Sequence, residues 1–347
     1  MHFSAALSTA TPPQTTFADR IADLRRQIDE RLAALVPPPE HAGDLMGAAL
    51  HEGVLAPGKR IRPLLTLLVG HSLGQHSPAL LDLGCAVEMV HAASLFLDDM
   101  PCMDNARLRR GRPAVHACYG EDIAMLGAVA LVSQAFSLVA SAESLCGDTR
   151  AQLVKILCNA VGMQGLVRGQ YRDLREGSAA RRFEDIASTN QQKTGSLFSA
   201  AFEMAALSAD ADETTRCALR KAALALGHAF QLRDDLEDGL TSPVSSGKDR
   251  NKDVGKSTLV ALMGHEAAQQ SLADHLAEAQ FQLRSALPAD EGVVLWVRKA
   301  FALPTAPRGK ATPDSHHEFH GSLAARGVRT DIPAAVPGYV QGPRPVA

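Results

Sequence analysis

Almost every apolar stretch of this chain repeats with the period of an α-helix, and no strand-length alternation bounded by hairpin turns stands out. Phe17, Ile21, Leu24, Ile28 and Leu32 form one stripe, stopped by Pro37-Pro38-Pro39. A second helix is predicted from about Asp44. A third runs from Ile61 to Leu73, with Pro63 in the first turn, where a missing N–H does no harm. Ser77-Pro78 opens a long helix that reaches Asp98. Further helical stretches are expected over 120–142, 150–172, 183–207, 213–239, 256–285 and 291–302. With 46% hydrophobic residues in 347, the chain can bury a large core. The fold class is therefore all-α, a large helical bundle.

Two of the predicted helices carry aspartate clusters: Asp98-Asp99-Met-Pro-Cys-Met-Asp104 and Asp234-Asp235-Leu-Glu-Asp238. In the second, Asp234 and Asp238 are four apart, which puts both carboxylates on one helix face. In the first, Pro101 stops the helix, so the chain must bulge after Asp99 before Asp104 returns. Like charges crowded on one face repel unless a cation offsets them. Mg²⁺ suits such a pair of walls, because it takes one or two carboxylates and fills its remaining positions with water and phosphate oxygens. Either cluster alone is also what a solvated acidic helix end looks like.

Basic residues accompany both clusters. Arg107, Arg109, Arg110 and Arg112 follow the first, and guanidinium forks suit a diphosphate as well as they suit a surface ion-pair network. Gly58-Lys59-Arg60-Ile61-Arg62-Pro63 places three cations at a helix start, where unpaired N–H groups favour anions. Lys193-Thr194 lies in a helical run, and Lys248 and Lys256 follow the second cluster. Gly255-Lys256-Ser257 is not a nucleotide-binding loop, since Arg250 stands where that loop needs glycine and no strand precedes it.

A net charge of -3 gives no global field for nucleic acid or an anionic membrane. The six cysteines show no C-x-x-C pairing and read as reduced thiols of a cytoplasmic protein, with Cys102 a small filler between the acids. The first sixteen residues lack Lys, Arg, Asp and Glu and read as a disordered leader. Residues 17–303 read as a single domain. From Pro304 to Ala347 the sequence turns rich in Pro and Gly without a helical stripe, which reads as a loose tail. His316 and His320 within it, four apart, have the spacing of a transition-metal pair but no scaffold. The uncharged run from Ile123 to Ala142 contains four polar side chains and is flanked by Asp122 and Glu143. It is expected to be a helix buried all round, at a domain centre or subunit interface, rather than a membrane span.

These motifs together resemble the trans-isoprenyl diphosphate synthases, and most of all their bacterial geranylgeranyl diphosphate synthase branch. The resemblance spans roughly residues 17–300. It rests on Gly58-Lys59-Arg60-x-Arg62-Pro63, His91-x6-Asp98-Asp99-x4-Asp104 with Arg109-Arg110-Gly111, Gly169-Gln170-x-x-Asp173, Lys193-Thr194 and Phe230-Gln231-x-x-Asp234-Asp235-x-x-Asp238. It implies a bundle of the isoprenoid synthase type with a central apolar cavity, a homodimer, and about three Mg²⁺ ions per site. By motif, Asp98, Asp99 and Asp104 would hold two ions, and Asp234, with Asp235 and Asp238, a third. Arg109, Lys193, Thr194, Gln231, Lys248 and Lys256 would contact an allylic diphosphate. Lys59, Arg62, His91 and Arg110 would bind isopentenyl diphosphate. The tail from about 304 differs from the short, basic ending usual in the family.

The implied reaction ionises the allylic diphosphate and lets the isopentenyl double bond attack the carbocation in a dry cavity. The growing product is expected to run back along the helix leading into Asp98, at about 1.5 Å per residue. Ala93 and Ser94 are small, and Val90 lies deeper, which suggests a twenty-carbon product of the kind used in carotenoid biosynthesis. The alternatives are a farnesyl diphosphate synthase, a class I terpene cyclase and a non-catalytic synthase subunit.

Overall fold

The helical pattern of the sequence appears almost unchanged in the computed structural model, which describes residues 16–176, 181–240 and 258–303, the side chains of 238–240 excepted. The first four helices are α1 (Phe17–Leu35), α2 (Leu45–Val54), α3 (Ile61–Ser72) and α4 (Pro78–Asp98). Two-residue strands β1 (Leu108–Arg109) and β2 (Arg112–Pro113) form an antiparallel hairpin. Next come α5 (Val115–Tyr119), α6 (Glu121–Ala140), α7 (Gly147–Val161), α8 (Leu166–Glu176) and α9 (Phe183–Asn190). A π-helical turn, Gln191–Gly195, joins α9 to α10 (Ser196–Ser208). The described part ends with α11 (Glu213–Leu240), α12 (Leu259–Met263), α13 (His265–Ala286) and α14 (Glu291–Phe301).

Local chemistry sets the helix starts. Thr16 and Asp19 form a reciprocal capping box on α1, and the Asp44 carboxylate accepts from the Gly47 amide at the start of α2. Pro78 opens α4, where its fixed φ costs nothing. At the centre lie α3, buried from Ile61 through Gly70, and α4, which packs on α3, α6 and α10. The long α11 packs along α13 and against α10.

The structure corrects three expectations. The stretch 150–172 is two helices, because the chain turns between Val161 and Leu166. The stretch 256–285 breaks at Gly264, whose φ of 84° no helix accommodates. The third concerns α6, which is not buried all round. Its small face of Ala124, Gly127, Ala128, Leu131 and Ala135 packs inward, whereas Met125, Leu126 and Val129 face outward at 48%, 59% and 67% exposure. By length and composition α4 and α6 are both apolar enough to cross a membrane. The α4 window is 72% buried, as a core helix is, and that of α6 only 33%.

Candidate active site

At the end of α4 the chain makes the bulge that Pro101 requires. Asp99 is the C-cap, and the Asp104 amide donates back to the Asp98 carbonyl at 2.9 Å. The Ala106 amide does the same to Asp99 at 3.0 Å, with Asn105 in the left-handed region at φ 49°. Asp104 is thereby returned to the helix end beside Asp98. The Asp98 carboxyl is pushed up to about 6, first by burial and then by the charges of Asp104 and Asp99, against Lys193 and Arg109. Asp99 is buried and receives Arg109 through Nε at 2.9 Å and through Nη2. Arg110 and Gly111, with φ 54° and 75°, form the tight turn between β1 and β2, and Arg110 Nη1 donates to the Pro57 carbonyl at 3.2 Å.

The π-helical turn carries Lys193 and Thr194. Its backbone lies against α8 so closely that a Cβ on Gly169 would sit 2.2 Å from the Lys193 nitrogen. Lys193 Nζ donates to Asp173 Oδ2 at 2.8 Å. Burial opposes its charge, but Asp173, Asp98 and Asp104 outweigh that and hold the ammonium above its usual value. Thr194 Oγ1 donates to Gln231 Oε1 at 3.3 Å, and Gln231 Nε2 donates to Asp235 Oδ1 at 2.7 Å. One end of α8 and one face of α11 therefore meet at this turn.

Arg62 lies near Asp234. Burial pushes its guanidinium down to about 10, with Glu88 and Asp234 acting the other way and Arg110 with it. It stacks 4.5 Å from the Phe198 ring centroid and 5.6 Å from that of Phe230, and its buried Nε finds no acceptor. His91 is held well below its ordinary value by burial and then by Arg62, Arg110, Arg109 and Arg60, so the ring is neutral. These contacts close a circuit. Asp98 and Asp104 act on Lys193, Thr194 leads through Gln231 to Asp235 and Asp234, and Asp234 acts on Arg62. Arg110 acts on Arg62, and Arg109, which bonds Asp99, acts on Arg110.

Most of the residues singled out in the sequence belong to this circuit, and some do not. Lys59 is exposed and borders a groove of about 580 Å³ between α1 and α14, outside the circuit. Asp238 lies on α11 one turn beyond Asp234, and its side chain is outside the description. Lys248, Lys256, residues 1–15 and the segment from 304, with His316 and His320, lie outside the described residues. On α4, Val90, Ser94 and Asp98 stand in one row four apart; Val90 and Ala93 are buried, and Ser94 Oγ donates to the His91 carbonyl at 2.8 Å. Cys102 is exposed, so it does not fill the space between the acids.

Glu88 escaped the sequence reading. It is buried and takes Arg60 Nη1 at 2.8 Å, while Arg60 Nε binds Asp29 at 2.8 Å. The signal was present: Glu88 is the only acid between Asp82 and Asp98.

Among the described residues no three His, Cys, Asp or Glu side chains come together as a complete metal site. The donor set still fits Mg²⁺, which takes one or two carboxylates and completes its shell from phosphate and water. A carboxylate that burial and two acidic neighbours leave short of full ionisation is what a divalent cation would relieve. Near Asp234, the buried and unpaired Arg62 Nε lacks an oxyanion.

The polyprenyl synthetase family model matches residues 44–287. A geranylgeranyl diphosphate synthase from Pantoea ananas is 52% identical over 269 residues, covering 77% of this chain and 86% of that protein. A farnesyl diphosphate synthase from Bacillus subtilis (strain 168) is 34% identical over 264 residues, 75% of this chain and 89% of that one. Among solved structures, the geranyltransferase from Helicobacter pylori complexed with magnesium and isoprenyl diphosphate matches with a TM-score of 0.74 and 28% identity. It covers 85% of this chain and 99% of that one. With the family's pattern running through most of its length and its own acids and cations joined in one circuit, this chain belongs to the polyprenyl synthetase family, whose members are prenyltransferases.

Proposed function

We propose that the protein condenses isopentenyl diphosphate with allylic diphosphates (dimethylallyl, geranyl and farnesyl) head to tail, and that geranylgeranyl diphosphate is its product. The observation that supports this best is the circuit of acids and cations, which brings Asp98, Asp99, Asp104 and Asp234 together with Lys193, Arg62, Arg109 and Arg110, as two diphosphates and their counter-ions require. The high identity to geranylgeranyl diphosphate synthases supports the twenty-carbon product.

In this reading Asp98, Asp99 and Asp104 on one side, and Asp234 with Asp235 and Asp238 on the other, hold about three Mg²⁺ ions. When bound, Mg²⁺ neutralises charge that develops on the departing diphosphate. Lys193, held charged by Asp173, and Arg109, held by Asp99, contact the allylic diphosphate together with Thr194 and Gln231. Lys248 and Lys256 add to them. Arg62, Arg110, the neutral His91 and Lys59 bind isopentenyl diphosphate, and the Phe198 and Phe230 faces orient Arg62 without neutralising it.

Loss of diphosphate leaves an allylic cation at C1. The isopentenyl double bond supplies the electron pair for the new carbon–carbon bond, and a proton then leaves to the released diphosphate. The row Asp98, Ser94, Val90 gives the growing chain a path along α4. We further infer a cytoplasmic homodimer paired through the outward face of α6.

Mass analysis of products made from isopentenyl diphosphate with each allylic primer tests the proposal. Twenty-carbon diphosphate is expected, with turnover abolished by chelator. A fifteen-carbon end product would replace the chain length, a hydrocarbon or alcohol would indicate a cyclase, and no consumption of isopentenyl diphosphate would indicate a binding subunit.

A further inference from the structure

Arg233 has no part in the proposed chemistry, yet it is among the most buried charged residues of the chain, at 2% exposure. It immediately precedes Asp234 on α11, and its two terminal nitrogens donate to two different elements. Nη2 donates to Asp234 Oδ1 at 3.0 Å. Nη1 donates to the Ala300 carbonyl at 2.9 Å, and Nε lies at ion-pair distance, 3.3 Å, from Glu237 Oε1 without a hydrogen bond. The guanidinium lies beside a pair of rings, 4.8 Å from the Phe230 centroid and 6.0 Å from that of Phe301. Phe230 also meets Arg62, and Phe198, Phe230 and Phe301 contact one another at 5.3 to 6.1 Å.

Ala300 belongs to the last turn of α14, where carbonyls have no partner within the helix. A buried guanidinium that satisfies one of them acts as a cap on that turn. The same fork donates to one oxygen of Asp234 and so biases where that carboxylate points. Partners of a metal-ligating carboxylate set its orientation, and their loss costs about 10- to 100-fold in metal affinity. A lysine carries the charge but cannot present two forked donors to Asp234 and the Ala300 carbonyl in one plane.

We propose that Arg233 is a positioning residue: it orients Asp234 and, through Ala300, makes docking of the last turn of α14 depend on occupancy of the second acidic cluster. This rests on reading Asp234 as a cation ligand. Two measurements apart from turnover test it. The first is the Mn²⁺ concentration that half-saturates the protein in the presence of inorganic diphosphate, followed by electron paramagnetic resonance. Arg233→Lys and Arg233→Met, checked for native circular dichroism, should raise it about 10- to 100-fold.

The second is hydrogen exchange in the last turn of α14, residues 298–301. In the wild-type protein it should slow when Mg²⁺ and inorganic diphosphate are added, and in both variants it should not. A purely structural arginine would lower thermal stability and leave both readouts as in the wild type. Wild-type exchange that ignores the ligands overturns the proposal, even if the variants fail to fold. If Asp234→Asn weakens Mn²⁺ binding and Arg233→Lys does not, the positioning role fails alone. If Asp234→Asn has no effect, the reading of Asp234 as a ligand fails with it.

Discussion

At the scale of single residues, the small side chains before Asp98 control how far a product tail extends. Ala93 is 1% exposed, so a large ring there must claim space from the core or from the tail's path. Ala93→Tyr or Ala93→Phe is expected to shift the dominant product from twenty carbons to fifteen. Unchanged chain length by mass spectrometry would refute the ruler. Asp98 gives a pH signature. Its folded value of about 6 exceeds the ordinary 3.8, so the metal-free folded state holds this proton more tightly than the unfolded chain. The stabilisation is complete below pH 4 and is lost as pH rises through 6, by at most about 3 kcal/mol. Denaturation in chelator at pH 4 and pH 7 should show this fall in the wild type and a smaller one in Asp98→Asn. Equal falls would show that burial of Asp98 has no such cost. The acids and arginines were legible in the sequence because charges stand out in apolar helices. Glu88 was not, because the worth of a lone buried acid depends on which cations the fold brings to it, here Arg60 from the start of α3.

At the scale of elements, the contact of α8 with the π-helical turn is the tightest point near the proposed chemistry. The Cβ of Gly169→Ala would meet the Lys193 nitrogen at 2.2 Å and its Cα at 2.6 Å, both backbone atoms that cannot rotate away. The variant should lose about 1–3 kcal/mol of stability. Because the turn carries Lys193 and Thr194, turnover should fall more than binding of the protein's other ligands. A thermal melt and a kcat measurement together check this; an unchanged kcat at reduced melting temperature would separate packing from positioning. Helix starts were readable from Asp44 and Ser77-Pro78, which act locally. The breaks after Val161 and at Gly264 were not, since apolar periodicity continues on both sides of each. The π-helical turn is invisible for a related reason: one extra residue per turn shifts the phase of the pattern without interrupting it.

At the scale of the whole molecule, the outward stripe of α6 is the natural place for a second copy. Val129→Asp, a charge at a site 67% exposed in the single chain, should leave the fold intact and yield monomers by sedimentation. Dimers that persist would move the interface elsewhere. Thiol chemistry gives a view of the molecule from solvent. Cys85 is buried, and burial raises its thiol far out of the reactive range, whereas Cys102, Cys118, Cys146 and Cys158 are exposed. Of these, Cys102 stands in the turn that carries Asp99 and Asp104. With the other three and the half-buried Cys217 changed to serine, a maleimide at Cys102 becomes a gauge of what binds beside that turn, and its labelling should slow when Mg²⁺ and inorganic diphosphate are present.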